Sequence, residues 1–126
     1  MVHVEAKTYE EAVAYCKIEG AKLAEPKSVG ANNDIATLVG NSISGDRIGV
    51  WIGIDDKSQE GHFKYASDTK SVTYTDWYSG EPNNFVTGED CVLWFKNQNN
   101  EIGWYDFPCY RKKPFICERK YYGKYI

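Results

Sequence analysis

Four cysteines, Cys16, Cys91, Cys109 and Cys117, lie in a chain of 126 residues. None forms a Cys-x-x-Cys pair, which excludes zinc-ribbon and thioredoxin-like arrangements. An even count in a small chain favours two disulfides over four buried thiols, and three connectivities are open. Disulfides imply an oxidising compartment. The segment from Met1 to Thr8 has no apolar core of a signal peptide, so the expectation is the mature form of a secreted, extracellular protein. The length suits one domain, residues 1–126.

Charge and composition narrow the function classes. The net charge is −3, which disfavours a module that tracks nucleic-acid phosphates. No run of about 20 apolar residues occurs, so no membrane span is expected. The unusual quantity is the aromatic content, 15% from 4 Trp, 10 Tyr and 5 Phe. Sheet-rich extracellular domains and binding surfaces use that many rings.

Periodicity then places the elements. Thr8 and Glu11 have capping-box spacing. Tyr9, Ala12, Val13, Ala14, Cys16 and Leu23 supply an apolar stripe, with Gly20 placed to stop the helix. A second helix is expected from about residue 31 to 42, burying Ile35, Leu38 and Val39. Short runs rich in branched and aromatic residues predict strands at 50–54, 62–65, 91–95, 103–105 and 114–118. Helices early and strands late, with a long polar loop over 66–90, argue α+β with antiparallel sheets.

That loop gathers Glu81, Asn83, Asn84, Glu89 and Asp90 within ten positions. All carry oxygen side chains, and no thiolate or imidazole accompanies them. Carboxylates mixed with amide carbonyls are what a hard cation such as Ca²⁺ takes, and the spacing is not that of an EF-hand. Pro82 is placed to fix a turn that points Glu81 and Asn83 the same way.

The ordered set of motifs resembles a C-type lectin-like domain, in its Ca²⁺-dependent sugar-binding branch. The residues that carry the resemblance are Cys16 in the early helix, Leu23-Ala24 and Trp51-Ile52-Gly53-Ile54. They continue with Trp77 ahead of Gly80-Glu81-Pro82-Asn83, then Glu89-Asp90-Cys91-Val92, Trp104-Tyr105-Asp106, Cys109 and Phe115-Ile116-Cys117-Glu118. The resemblance implies the disulfides Cys16–Cys117 and Cys91–Cys109 and the short form of the domain. It implies Glu81, Asn83, Glu89 and Asp106 as principal ligands of Ca²⁺ and sugar, with Asp56, Glu60, Asn84 and Asp90 forming an auxiliary Ca²⁺ site. The Glu-Pro-Asn triplet is the family's version for vicinal equatorial hydroxyls, as on mannose, fucose, glucose or N-acetylglucosamine. The implied partners are glycans on cell or microbial surfaces, with homo-oligomers raising a weak single-site affinity.

One position departs from the family. Tyr105 stands where an asparagine normally supplies both a Ca²⁺ ligand and a hydrogen-bond donor, and a phenol is a poor neutral ligand. Tyr105 and Phe85 are instead candidates to pack against the apolar face of a sugar. The alternative is a domain of the same fold that binds a protein, a mineral or another surface without sugar. An enzyme is not expected. Glu81 and Glu89 could form a glycosidase pair, but as cation ligands they stay ionised and unsuited to donating a proton.

Overall fold

Strand β3 (Ile48–Asp55) organises the molecule because both of its faces are buried. Val50, Ile52 and Ile54 enter one apolar cluster with Ile35 and Val39, and Trp51 enters another with Tyr9, Ala12 and Cys16. The period-2 alternation of a strand thus distributes one sequence run between two cores. The computed structural model describes residues 2–82, 90–119 and 125–126. Among them the order is β1 (Val2–Lys7), α1 (Tyr9–Ile18), β2 (Ala21–Leu23), α2 (Val29–Ser42), β3, β4 (Lys64–Tyr65), β5 (Cys91–Lys96), β6 (Ile102–Phe107) and β7 (Lys113–Arg119).

The main path through the sheet runs β1-β7-β3-β5-β6, with β2 on β7 and β4 on β3. β5 and β7 divide their side chains as β3 does. Val92, Trp94 and Ile116 join the α2 cluster, while Leu93, Phe115 and Cys117 join the α1 cluster. The two helices therefore serve opposite cores. Among the described residues the named strands pair antiparallel except β3 with β7, which is parallel at Trp51↔Phe115. The sheet is mixed rather than antiparallel throughout. The chain between β3 and β7 is long enough for a parallel neighbour, which a tight hairpin never gives.

The capping box at α1 forms in full. Glu11 N–H donates to the Thr8 hydroxyl, and Thr8 N–H donates to Glu11. Gly20, at φ 74°, follows the helix. Leu23 consequently lies on β2 rather than on the helical stripe, and Ala14 is exposed. α2 starts two residues earlier than its apolar pattern, because Ser28 caps it by accepting from Ala31 N–H. β1 alternates apolar Val2, Val4 and Ala6 with polar residues, a strand signal that the sequence reading passes over, yet only Val2 of its six residues is buried. His62 and Phe63 lie outside the two-residue β4.

Two disulfides bond the pairs Cys16–Cys117 and Cys91–Cys109. The first spans 101 positions and fastens α1 to β7. In the chain-entropy description it is worth about 4–5 kcal/mol, and the shorter one about 3 kcal/mol. The second joins the start of β5 to the residues just after β6.

The long connection after β4 is anchored before it reaches the polar residues. Trp104 Nε1 donates to Asn32 Oδ1 at 3.0 Å, and Asn32 Nδ2 donates to Asp76 Oδ2 at 2.8 Å. The backbone follows, with Trp104 N–H donating to Asp76 O and Tyr78 N–H to Trp104 O. This close docking depends on Gly103, where an added Cβ would lie 2.8 Å from the Cα of Tyr78. Gly103→Ala is therefore expected to destabilise the fold by about 1–3 kcal/mol through overpacking. The denaturant midpoint measures this, and an unchanged midpoint would show that the segment is not held there.

Candidate metal centre

β3 ends at Asp55 and Asp56 follows at once, the two aspartates having different environments. Asp55 accepts the Tyr9 hydroxyl at 2.7 Å and is used up in structure. Asp56, one residue on, is 2% exposed and points elsewhere. Its Oδ2 accepts Gly61 N–H at 2.8 Å, while no donor reaches its buried Oδ1 among the described residues. Turns from Asp56 to Gln59 and from Gln59 to His62 fold Glu60 back over it. Asp90 is brought in from the far side of the loop, because Asp56 N–H donates to Asp90 O at 2.9 Å. One carboxylate oxygen from each of Asp56, Glu60 and Asp90 then lies within 4.8 Å of the others.

Three carboxylates at this spacing repel one another. Burial, with Glu60 and Asp90 nearby, pushes the Asp56 carboxyl up to about 7, against the hydrogen bond from Gly61 that lowers it. Burial and Glu60 raise the Asp90 carboxyl, to which Asp106 adds, while a hydrogen bond with Asp56 lowers it. A divalent cation reverses this logic by supplying the missing positive charge. The orphaned Asp56 oxygen and the oxygen-only donor set fit a hard cation, and these three side chains would hold it.

Asp106 is 2% exposed on β6, opposite Val92 in the ladder with β5. The Cys91–Cys109 disulfide fastens the ends of those strands, so Asp90 and Asp106 emerge from one braced unit. Glu81 N–H donates to Tyr78 O at 2.8 Å, which ties Glu81 to the anchored segment, and the Glu81–Pro82 peptide is cis. Tyr105 packs its ring 4.8 Å from Phe95 and 5.1 Å from Tyr78. Of the residues expected at the site, Asn83, Asn84, Phe85 and Glu89 lie outside the described residues. The structure therefore gathers three of the four auxiliary positions and shows where two of the four principal ones sit. Tyr78 and Phe95 were missed by sequence reasoning. They lie 27 and 10 positions from Tyr105, and no local spacing marks such a group.

The comparisons with known proteins agree with this architecture. The family model for the lectin C-type domain matches residues 5–119. A salivary C-type lectin 2 of Aedes albopictus is 36% identical over 120 residues, covering 92% of this chain and 80% of that protein. Collectin-11 of Danio rerio is 38% identical over 114 residues, covering 90% of this chain, which spans only 40% of the collectin. Among solved structures, a mouse scavenger receptor C-type lectin carbohydrate-recognition domain superposes with a TM-score of 0.75 at 29% identity, over 90% of this chain and 80% of that one. A herring type II antifreeze protein gives 0.75 at 27%, over 93% and 86%. The chain belongs to the C-type lectin domain family, a family of non-catalytic binding domains whose members generally bind Ca²⁺.

The Asp56 carboxyl is raised in the folded chain, so the metal-free fold binds more protons than the unfolded chain between its ordinary value and about 7. Stability should accordingly fall as pH rises across that window. In the presence of a chelator, the melting temperature of the wild type is expected to drop from about pH 4 to about pH 7. Asp56→Asn should flatten the drop and raise the value at pH 7 by a few degrees. A wild-type profile without slope in that window would remove the repulsion described above.

Proposed function

We propose that this chain is a Ca²⁺-dependent lectin domain for sugars with vicinal equatorial hydroxyls, of the mannose, fucose, glucose or N-acetylglucosamine type. The observation that carries the reading is the convergence of Asp56, Glu60 and Asp90, with a buried Asp56 oxygen facing no donor, beside Asp106. Bound Ca²⁺ supplies positive charge and open coordination positions for two hydroxyl oxygens. The chain's own groups then set the polarity around those hydroxyls. Glu81 and Glu89 accept hydroxyl protons, Asn83 donates to a hydroxyl lone pair, and Asp106 adds a carboxylate. An acid at 81 and an amide at 83 fix which hydroxyl meets an acceptor and which a donor. Asn84 completes the auxiliary set with Asp56, Glu60 and Asp90. In this reading residues 1–126 form one secreted, extracellular domain, and the two disulfides support that location. The partners are glycans on cell or microbial surfaces. One site binds with Kd near millimolar, about −4 kcal/mol, so homo-oligomers supply avidity.

The second reading, a surface binder without sugar, rests on Tyr105. Its ring is packed with Phe95 and Tyr78, so β6 offers no amide at that position. The antifreeze protein among the structural relatives has the same fold.

A glycan panel with and without chelator separates the two. Retention on mannose resin in millimolar Ca²⁺ and release by chelator is the expected result, with a rise in melting temperature on adding Ca²⁺. No binding and no thermal shift would favour the second reading. Glu81→Gln with Asn83→Asp is expected to move preference toward galactose, and unchanged selectivity on the panel would show that the triplet does not read the sugar.

A further inference from the structure

A groove of about 320 Å³ opens at the turn between β5 and β6. Tyr78, Phe95 and Tyr105 line it, with the Tyr105 ring 5.1 Å from Tyr78 and 4.8 Å from Phe95. Arg47 and Glu101 line the same groove. Both are exposed, and among the described residues neither enters a salt bridge, with the other or with a third residue. Opposite charges from distant parts of the chain are thus brought to one groove and left unmatched there.

The turn that carries Glu101 is held by the chain itself. Asn97 Oδ1 accepts the N–H groups of Asn99 and Glu101 at 2.8 and 3.0 Å. Asn97 Nδ2 donates to the Tyr78 hydroxyl at 2.7 Å and to Glu101 Oε1 at 3.1 Å. One amide therefore fixes a ring and the carboxylate relative to each other, and it occupies only one of the two carboxylate oxygens.

An anion alone would answer Arg47 but set its charge against Glu101, and a cation alone would do the reverse. A neutral ligand would leave both charges unmatched. A ligand that carries both charges answers both. Three rings beside one carboxylate suit a cation with an apolar skin. A methylated ammonium gains from the rings and loses little hydration, while a primary ammonium gives up hydrogen bonds to water that rings do not replace. The guanidinium of Arg47 offers paired donors to phosphate oxygens. Because Arg47 and Glu101 do not reach each other, the ligand's two charges must be spaced, as they are across the two-carbon bridge of choline phosphate.

We propose that this groove binds a phosphocholine group, its trimethylammonium end against Tyr78, Phe95, Tyr105 and Glu101 and its phosphate against Arg47. The site goes beyond the Ca²⁺-dependent sugar reading and stands without it, because none of these groups is a cation ligand in that reading.

Calorimetric titration of the full chain with soluble phosphocholine, in the presence of a chelator, tests it. Saturable binding is expected, about five-fold tighter than that of phosphoethanolamine, choline or inorganic phosphate. Arg47→Ala and Glu101→Gln, both at exposed positions, should each weaken phosphocholine about five-fold with the melting temperature unchanged. Glutamine at 101 can still accept from Asn97, so the turn is kept while the charge is lost. Phosphatidylcholine vesicles identify the carrier. Copelleting that soluble phosphocholine competes away places the group on a lipid, soluble binding without copelleting places it on a soluble carrier, and the site stands in either case. No saturable binding of phosphocholine, equal affinity for phosphoethanolamine, or an affinity unchanged by both substitutions overturns the proposal. Because the chelator removes the cation, these outcomes are independent of mannoside binding in Ca²⁺.

Discussion

The double burial of β3 is the constraint on which the remaining geometry depends. Because Val50, Ile52 and Ile54 fill one core and Trp51 the other, the strand cannot slip by one residue without exchanging its two cores. That fixes where it ends. Asp55 is left facing Tyr9, and Asp56 is left facing the loop. The ladder to β5 then sets the height of Cys91 and hence of Asp90, and the ladder from β5 to β6 sets Asp106. Apolar packing, which has no chemical preference of its own, thereby places carboxylates at defined separations.

Stability and function pull in opposite directions at that point. Bringing Asp56, Glu60 and Asp90 together costs free energy in a metal-free chain, and burial of Asp56 adds to it. The scaffold withstands the cost through the two disulfides and the paired cores. A cation would turn the same convergence into a net attraction.

How much of this was legible in the sequence follows from how local each signal is. The α1 cap, the β3 run and the β5 run are contiguous patterns, and each predicted an element that the structure contains. β2 was hidden because Leu23 lies at helical spacing from Cys16, and only the break at Gly20 separates them. β1 was legible in the alternation of Val2, Val4 and Ala6 but was passed over, the run being short and Val4 and Ala6 exposed in the fold. At the site, the acidic types and their order were readable from the resemblance, and Asp56, Glu60 and Asp90 do converge. The ring group around Tyr105 was not readable, since Tyr78, Phe95 and Tyr105 come from three separate segments that only the folded chain brings together.

The disulfide between Cys16 and Cys117 has a further consequence. It joins a residue before the long loop to one after it. A peptide bond cut anywhere between Glu81 and Asp90 would leave two fragments that remain one covalent molecule until a reductant is added. The nicked form would migrate intact on a non-reducing gel and as two bands on a reducing one. Cleavage there would sever the loop without releasing either half.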